Sequence, residues 1–458
     1  MTGFGLVAYA TYLPHFRLSR EEIGTALGTS AGRGERVVAG FDEDATTMAV
    51  EAARRARGSD IEQNVSAIYF ATTSPPYLDK TNAAAIHAAL GLSSDGFAAD
   101  LAGSARSGTA ALRAAMAGGG LAVLADIRLG LPGSGDERGG GDGAAALVFG
   151  DPGESIADVL SAVSLTAEVL DRWRGPERLD AEVWEERFGL ETYEPLITQA
   201  ARRALEAAGL DGVDHAVVTS PNAGVAKRAR ALLPQAAELS SAPIGHCGAA
   251  DVGIAIAAIL DHANAGETIL VVSAVDGCDA LVLRTTGRLA ARRQACPVAE
   301  QLATGAKVSY PSYLTWRSQL VREAPRRPEP ERPAGPPSAR GEQWKFGLIG
   351  SRCTSCGTVH LPPERACKGC GAVDAMAAHS VANHLGTIAT YTVDRLAFSP
   401  SPPLVSAVVD FDGGGRCALE VADADPERLA VGARVDVTFR RLFTAGGVHN
   451  YFWKARLV

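Results

Sequence analysis

The chain has 458 residues, a length that suggests about three domains. Because 47% of the residues are hydrophobic, a sizeable core can form, and wholesale disorder is excluded. Its 44 basic and 52 acidic residues leave a net charge of −8, which argues against general nucleic-acid binding. Eight cysteines are too few for a disulfide scaffold, and no apolar run reaches the length of a membrane span. No basic stretch precedes the short apolar run near the start, so we expect no signal peptide and a cytoplasmic protein with reduced thiols.

From residue 3 to about 286, short apolar runs alternate with alanine-rich amphipathic segments, a pattern typical of an α/β fold. The predicted strands are 67–72, 121–125, 144–149, 216–219, 268–274 and 280–284. The predicted helices are 46–57, 83–90, 107–117, 195–208 and 252–263. Two small-residue turns, AGSARSG at 102–108 and GHCGAA at 245–250, each precede a helix and suggest two halves of a duplicated unit. Reactive groups are common in such turns, because a helix N-terminus offers free N–H donors.

The composition changes after about residue 300. Residues 324–340 contain six prolines and predict an extended linker or surface strap. Five short apolar runs between 380 and 458 predict the strands of a small β-barrel of OB type. We therefore expect the two halves at 1–155 and 156–300, a linker at 301–345, a cysteine-containing segment at 346–379 and the barrel at 380–458.

The strongest local signal is the pair of CxxC motifs in CTSCGTVHLPPERACKGC. Cys353 and Cys356 form one pair, and Cys367 and Cys370 form the other. A glycine follows the second cysteine of each pair, where a knuckle turn needs a flexible backbone. Four thiolates on two knuckles make the closed tetrahedral site of a structural Zn²⁺, which we expect to stabilise the fold rather than to catalyse. The alternative is two unrelated or redox motifs.

The first 286 residues resemble the 3-hydroxy-3-methylglutaryl-CoA synthase branch of the thiolase superfamily. The motifs that carry the resemblance occur in order along the chain: LVAYATYLPHFRL, FDEDATTMAVEAARRA, FATTSPPYLDK, DLAGSARSGTAAL, GDGAAALVFG, DRWR, WEERFGLETYEP, SPN, GHCGAADVG and VDGCDAL. The resemblance implies a five-layered fold of two pseudo-symmetric halves, usually a homodimer, that acts on acyl-CoA or acyl-carrier thioesters.

The segment from about residue 313 to the end resembles a second family, the zinc-ribbon/OB-fold proteins that accompany thiolase-like enzymes. The motifs WKFGLIGSRCTSCGTVHLPPERACKGCG, HLGTIATYTV and YFWKARLV carry this resemblance. It implies a rubredoxin-like ribbon and a barrel that bind acyl-CoA or bridge subunits, so a hetero-complex with a separate thiolase is a further expectation.

Three residues depart from the catalytic pattern that the first resemblance implies. Aligning DLAGSARSGTAAL places Ala105 where the family has its nucleophilic cysteine. Thr73 stands where synthases carry a glutamate base, and Thr219 stands where the family has a histidine. Because alanine forms no acyl-enzyme, covalent catalysis would need another nucleophile, for which the flanking Ser104 and Ser107 are candidates. Alternatively, both serines cap or pack the helix start.

His246 in GHCGAA is the surviving candidate, because it matches the GHxxGAA pattern of elongating ketosynthases and the GHP of thiolases, at a position where 3-hydroxy-3-methylglutaryl-CoA synthases carry asparagine. A histidine can serve there as an acid–base or an oxyanion donor. The alternative is a histidine that is hydrogen-bonded in a packed turn. Asn222 matches the family's PN pair and is expected to make a positioning hydrogen bond. Three basic residues follow the SPN loop: Lys227, Arg228 and Arg230. They could contact CoA phosphates, or they could equally form a solvated face of a helix.

Three functions remain open at this point. The first is an acyl-CoA-dependent enzyme that forms or breaks carbon–carbon bonds without a cysteine acyl-enzyme, by aldol, retro-aldol or direct acyl transfer. The second is an inactive scaffold that binds acyl-CoA and supports a partner thiolase. The third is an ordinary synthase or ketosynthase-type acyltransferase with an unrecognised nucleophile. We expect neither nucleic acid nor membrane as a partner.

Overall fold

The computed structural model describes residues 3–30, 32–57, 65–239, 244–323 and 330–458. The chain divides into two compact units. Unit 1 comprises Met1–Ala39, Asp44–Ala84 and Ser93–Tyr313. Unit 2 comprises Gly40–Glu43, Ala85–Leu92 and Leu314–Val458.

Helices and strands alternate through unit 1, and strands dominate the last third of the chain. The helices are α1 (Arg20–Leu27), α2 (Ala45–Arg57), α3 (Ala83–Ala89), α4 (Ser107–Gly118), α5 (Gly135–Gly139), α6 (Glu186–Ala208), α7 (Ala223–Leu232), α8 (Asp251–Leu260), α9 (Val298–Ala303), α10 (Tyr310–Trp316), α11 (Gly335–Arg340) and α12 (Glu342–Gly347). The strands are β1 (Gly5–Tyr12), β2 (Phe16–Ser19), β3 (Glu35–Val38), β4 (Ala67–Thr72), β5 (Phe97–Ala102), β6 (Gly120–Asp126), β7 (Gly143–Gly150), β8 (Ala157–Thr166), β9 (Arg172–Trp173), β10 (Glu182–Val183), β11 (Val213–Thr219), β12 (Ala236–Leu239), β13 (Thr268–Ser273), β14 (Gly277–Thr285), β15 (Ala306–Lys307), β16 (Ile349–Cys353), β17 (Val359–His360), β18 (Met376–Ser380), β19 (Gly386–Asp394), β20 (Leu404–Phe411), β21 (Arg416–Glu420), β22 (Arg434–Ala445) and β23 (Val448–Leu457).

The strands predicted between residues 67 and 284 are confirmed as β4, β6, β7, β11, β13 and β14. The predicted helices correspond to α2, α3, α4, α6 and α8. Helix α6 begins earlier than predicted, because Pro195 lies inside it rather than at its first turn. Residues 324–329 of the predicted linker lie outside the described residues. The described helices are all too short or too polar to cross a membrane.

The large sheet of unit 1 repeats one strand order twice. Its order is β12-β11-β13-β14-β8-β1-β7-β6-β4-β5, with β8 and β1 paired at the centre. Outward from the centre, each half has two antiparallel pairings followed by two parallel ones. The two halves therefore share one topology, as the predicted duplication and the thiolase-like fold require.

Four helices supply the remaining layers. Helices α4 and α8 contact each other, and α8 contacts both β7 of the first half and β11 of the second. Helix α2 packs on β1 and β7, whereas α6 packs on β8 and β14. This arrangement gives the expected helix–sheet–helix–sheet–helix stack.

Helix α8 lies in the middle of this stack because it is apolar on every side. Ile254, Ile256 and Ile259 are fully buried, and each contributes roughly 1.5–3 kcal/mol of burial free energy. At the start of α4, a Cβ on Gly108 would lie 2.2 Å from the carbonyl oxygen of Ala249. Only glycine allows the two helix-opening turns to approach this closely.

Unit 2 contains a three-stranded sheet, β17-β16-β18, and a five-stranded sheet, β21-β20-β19-β22-β23. A parallel bridge from Val421 to Ala455 joins the two edges of the larger sheet and closes it into a barrel. All five predicted barrel strands are present. Trp453 and Phe439 fill the interior, and the indole of Trp453 donates to the carbonyl oxygen of Phe346 at 2.7 Å.

A buried charge cluster on β22 and β23 joins the barrel to the segment Gly40–Glu43 of the same unit. Arg440 lies 2.8 Å from Glu43, and Lys454 lies 2.8 Å from Asp42. Burial alone would raise the pKa of Asp42, but Lys454 and Arg440 outweigh it and hold that pKa below its usual range. Removing one partner would leave an unpaired buried charge, which is strongly destabilising.

Candidate functional site

The turn AGSARSG connects β5 to α4, and Ala105 is half-buried within it. The amides of Ser107 and Gly108 donate to the carbonyl oxygens of Ser104 and Ala105 at 3.0 and 3.1 Å. The amide of Ala105 has no acceptor among the described residues. This position therefore presents a methyl side chain and a free N–H group at the positive end of α4.

The loop after β4 is fastened by Asp126, a fully buried carboxylate at the end of β6. One oxygen of Asp126 accepts from the amide of Thr73 at 2.8 Å and from the hydroxyls of Thr72 and Ser74. Its other oxygen accepts from the amide of Ala249 at 2.6 Å. A single carboxylate thus holds the loop of the first half against the GHCGAA turn of the second.

His246 lies in that second turn. Its amide donates to the carbonyl oxygen of Gly139 at 2.9 Å, and its own carbonyl accepts from Gly141. Its Nδ1 is 2.9 Å from Asp251 Oδ2, an ion-pair distance without hydrogen-bond alignment. Its Nε2 is buried and has no partner among the described residues. Nε2 is therefore a ring nitrogen whose hydrogen-bonding capacity is unused.

One cavity of about 310 Å³ brings three of the predicted positions together. Thr73, Ala105 and His246 all contribute to its wall, although they come from separate loops in both halves. The complete lining is Thr73, Gly103, Ser104, Ala105, Arg128, Leu129, Asp136, Asp171, Arg172, Trp173, Arg174, Ala181, Tyr193, Pro221, His246, Val275 and Asp276.

Two predicted site residues lie beside the cavity without lining it. Thr219 is buried at the end of β11, and its carbonyl accepts from the amide of Ala274. Asn222 begins α7, where its side-chain oxygen accepts from the amide of Gly224 at 2.9 Å. The Asn222 nitrogen donates to the carbonyl oxygen of Glu186 at 3.0 Å. The side-chain oxygen of Asn222 therefore caps α7, and its side-chain nitrogen ties α7 to the start of α6.

The three basic residues considered for CoA phosphates project from α7, and none of them lines the cavity described above. Lys227 lies 3.7 Å from Glu186, and Arg228 lies 2.8 Å from Glu194. Arg230 donates to the carbonyl oxygen of Ala236 at 2.7 Å. Two are paired with carboxylates on α6, and the third is bonded to the backbone.

The sequence interpretation missed three arginines in the cavity wall. Arg172 is paired with Asp136, Arg128 lies 3.7 Å from the same carboxylate, and Arg174 donates to the carbonyl oxygen of Thr73. Burial, reinforced by the charge of Arg128, lowers the pKa of both Arg172 and Arg174. The alternation Arg-Trp-Arg in the DRWR motif was the available signal.

A carboxyl group and a phenol in the same wall also went unpredicted. Tyr193 donates to Asp171 at 3.2 Å and accepts from the amide of Asp276. Burial raises the pKa of Asp171 above its usual range, and burial together with Asp171 raises the pKa of Tyr193. The cavity therefore contains a carboxyl group that holds its proton more tightly than an exposed one.

The cysteines outside the CxxC pairs have the environment of inert thiols. Burial raises the pKa of Cys278 to about 12 and raises those of Cys247, Cys296 and Cys417 as well. Activated nucleophilic cysteines have lowered pKa values. These four thiols therefore offer no replacement for the family's nucleophile.

The two serines of the AGSARSG turn also lack a base. Ser104 lines the cavity, and its hydroxyl accepts only from the amide of Arg106, at 3.4 Å, among the described residues. The Ser107 hydroxyl is buried without a hydrogen-bond partner in the described part of the chain. Because a serine nucleophile needs an adjacent base, neither position has the required arrangement.

The four cysteines of the CxxC pairs meet at one point in unit 2, with their sulfurs within 4.8 Å of one another. Cys353 and Cys370 are 3.7 Å apart, and Cys356 and Cys367 are 3.5 Å apart. Tetrahedral Zn–S bonds of about 2.3 Å place neighbouring sulfurs roughly 3.8 Å apart, so the cluster fits this ion. A hydrogen bond from Thr358 lowers the pKa of Cys356 to about 6, which favours the thiolate.

Comparison with known proteins places the chain in a family. The chain is 33% identical over 341 residues to the hydroxymethylglutaryl-CoA synthase of Archaeoglobus fulgidus, covering 69% of this chain and 99% of that protein. It is 32% identical to the enzyme of Pyrococcus furiosus over 342 residues, or 70% and 98% of the two chains. This chain belongs to the hydroxymethylglutaryl-CoA synthase family.

Solved structures agree on the fold. MvaS in complex with 3-hydroxy-3-methylglutaryl coenzyme A is 22% identical, with a TM-score of 0.60 over 72% of this chain and 96% of that one. The 3-oxoacyl-(acyl carrier protein) synthase III of Pseudomonas aeruginosa PAO1 has a TM-score of 0.54 at 21% identity, covering 62% and 98%. The thiolase-like α/β fold is confirmed.

Two further family models match the C-terminal part. Residues 347–374 match the rubredoxin-like zinc ribbon domain of ChsH2, and residues 381–440 match its C-terminal OB-fold domain. The predicted ribbon and barrel are confirmed. The chain thus combines a match to curated hydroxymethylglutaryl-CoA synthases over 69% of its length with a zinc ribbon domain and an OB-fold domain.

Proposed function

We propose that this protein acts on CoA thioesters and forms or breaks a carbon–carbon bond without a cysteine acyl-enzyme. One observation carries the proposal: His246 shares a cavity with Ala105, which occupies the position expected for the nucleophile. Two solved structures of similar fold, MvaS in complex with 3-hydroxy-3-methylglutaryl coenzyme A and an HMG-CoA synthase complexed with CoA, support a CoA thioester as the substrate.

The chemistry needs an acid–base group and an oxyanion donor. His246 Nε2 would remove or return the proton next to the thioester carbonyl, with the Asp251 carboxylate 2.9 Å from Nδ1. The free amide of Ala105 at the start of α4 would donate to the enolate oxygen. An aldol step then joins the enolate carbon to a carbonyl carbon, and the new alkoxide takes a proton. The reverse sequence cleaves the same bond.

The decisive experiment measures turnover and covalent labelling together. In assays of aldol or retro-aldol turnover of acyl-CoA, His246→Ala should lower kcat by about 10²–10⁴-fold, the usual contribution of general acid–base catalysis. Cys247→Ala is the matched control, because this neighbour is buried and is not among the lining residues. Intact-mass analysis after incubation with acetyl-CoA should show no stable acetyl adduct.

Two outcomes would contradict the proposal. Unchanged turnover in His246→Ala would remove His246 from the chemistry. An acetyl adduct at Ser104, Ser107 or Cys247 would instead support a synthase with an unrecognised nucleophile.

A scaffold role is the second candidate, and the missing nucleophile together with the fused ribbon and barrel favours it. In that case, the protein would bind acyl-CoA and support a separate, cysteine-bearing thiolase. Absence of turnover by the purified protein, combined with stimulation of a co-purifying thiolase, would identify this role. The expected homodimer is a separate prediction, which light scattering would test.

The ribbon cysteines, Cys353, Cys356, Cys367 and Cys370, are proposed to hold a structural Zn²⁺. The sulfur separations and the two-knuckle arrangement support this assignment. With four protein ligands the ion has no open position, so it would stabilise the fold and take no part in catalysis.

A further inference from the structure

A second group of metal-ligating side chains lies at the edge of the large sheet in unit 1. His215 on β11 and Glu238 on β12 are register partners on neighbouring parallel strands, and β12 is the end strand of that sheet. His262 follows α8 and brings its ring beside that of His215, with 5.4 Å between the centroids. The group is formed by residues from three separate elements.

The ligand atoms of these three residues all lie within 4.8 Å of one another. His215 Nδ1 is 3.4 Å from a Glu238 oxygen, and His262 Nε2 is 4.0 Å from the other oxygen. Zn–N and Zn–O bonds of about 2.0–2.1 Å place neighbouring tetrahedral ligands roughly 3.4 Å apart. The His215–Glu238 distance already matches, and the half-exposed side chains of Glu238 and His262 are free to close the remainder by rotation.

The contacts of His215 leave one of its ring nitrogens facing a carboxylate without a hydrogen bond. This side chain is buried, and its Nε2 lies 2.8 Å from Glu267. When Nε2 carries the proton and donates to Glu267, a neutral ring keeps a lone pair on Nδ1. Nδ1 has no hydrogen-bond partner among the described residues and faces the Glu238 carboxylate. A lone pair facing an anion is unfavourable, and either a proton on Nδ1 or a metal cation between the two groups would remove the repulsion.

The fourth residue, Glu267, occupies the position of an orienting partner. Its two oxygens accept from the amide and the side-chain nitrogen of Asn264, at 2.7 and 2.9 Å, which fixes the carboxylate in front of His215 Nε2. A metal-bound histidine usually donates its second ring nitrogen to a carboxylate in this way, which fixes the ring and raises its basicity.

We infer that His215, Glu238 and His262 bind a divalent transition-metal ion, with Glu267 as the orienting carboxylate. Two imidazoles and one carboxylate suit Zn²⁺, Co²⁺ or Ni²⁺ rather than Mg²⁺ or Ca²⁺. Three protein ligands leave one coordination position open to water or to another group. None of these four residues lines the cavity that contains His246, so the inference does not depend on the proposed function.

The experiment counts zinc in the full chain after equilibration with Zn²⁺ and removal of free ion. The wild type should bind two ions, one at each of its two clusters. His262→Ala and Glu238→Gln should bind one, held by the ribbon. The control is Glu206→Gln, because Glu206 on α6 is as exposed as Glu238, at 59%, and should leave two ions bound. Glu267→Gln should weaken the second site 10–100-fold.

Cobalt distinguishes the two sites by their ligands. Cys356→Ser should remove the sulfur-to-cobalt absorption of the ribbon, while the cobalt absorption assigned to the nitrogen and oxygen site remains. The inference is wrong if the wild type binds a single zinc, or if His262→Ala and Glu238→Gln both keep two. A proton on Nδ1, forming an ordinary ion pair with Glu238, would then account for the contact.

Discussion

The ribbon and the cavity of unit 1 were both predicted from motifs, but they keep different parts of their families' patterns. The ribbon keeps all four cysteines, and their sulfurs meet within 4.8 Å. In the cavity, the loops that carry the expected catalytic positions converge, because Thr73, Ala105 and His246 line the same wall. Of the expected reactive side chains, only His246 is present.

This difference follows from what each site contributes to folding. Removing a ribbon ligand would leave three thiolates without their ion, and the small ribbon has little apolar core to compensate. Replacing a reactive side chain with alanine or threonine leaves the backbone of the cavity in place, because Asp126 and the buried glycine contacts hold it. A fold can therefore persist after its chemistry has changed.

The largest expected effect comes from breaking the ribbon. Cys367→Ser should remove one zinc per chain, because this cysteine is one of the four clustered ligands. Structural zinc contributes on the order of 10 kcal/mol to folding of such a site. We expect amides near β16, β17 and β18 to lose protection from hydrogen exchange, while those of the large sheet remain protected.

Cys417→Ser is the matched control, since this cysteine is outside the ribbon cluster. Retention of the ribbon zinc by Cys367→Ser would show that the four cysteines do not form a single closed site.

A second substitution tests whether the cavity still accepts the family's nucleophile. Ala105→Cys places a thiol at the positive end of α4, where the helix dipole lowers thiol pKa values. Intact-mass analysis with acetyl-CoA should show about one acetyl group per chain, compared with none in the wild type.

Ser104→Cys moves the thiol by one position on the same turn and should be labelled less. Equal labelling of the two variants, or none of either, would show that position 105 has no special geometry for acyl transfer.

The smallest expected effect concerns Asn222. Because its side chain caps α7, Asn222→Ala should lower the free energy of unfolding by about 1 kcal/mol in urea titration. Asn222→Asp keeps the accepting oxygen and should lose less. A fall in turnover far larger than the loss of stability would instead place Asn222 in the chemistry.

Local patterns in the sequence predicted most of the fold. The alternation of apolar runs located six of the ten strands of the large sheet, although not β1 and β8 at its centre, and the CxxC spacing located the clustered cysteines. The position of Ala105 required a resemblance to a known family, since nothing in the residues alone marks an absent nucleophile.

The remainder depended on contacts between distant segments. Arg172 and Arg174 are close together in the DRWR motif, but nothing in the sequence predicts that they share a wall with Arg128, because this depends on β9 approaching the loop after β6. The start of α6 was misplaced because Pro195 was taken as its beginning. The cluster of His215, Glu238 and His262 could not be predicted from the sequence, because its members come from β11, β12 and the residues after α8.

The shared carboxylate of Asp126 has a consequence for how this chain could have changed over time. Two copies of a duplicated fold could in principle accumulate substitutions independently. Here the loop that carries Thr73 and the turn that carries His246 depend on one residue. A substitution that shifts the loop should therefore change the stability effect of a substitution in the turn. Interaction energies between such neighbouring sites are about 0.5–3 kcal/mol. Placing reactive side chains at Thr73 and His246 one at a time should therefore give non-additive effects, because both positions depend on the contacts of Asp126.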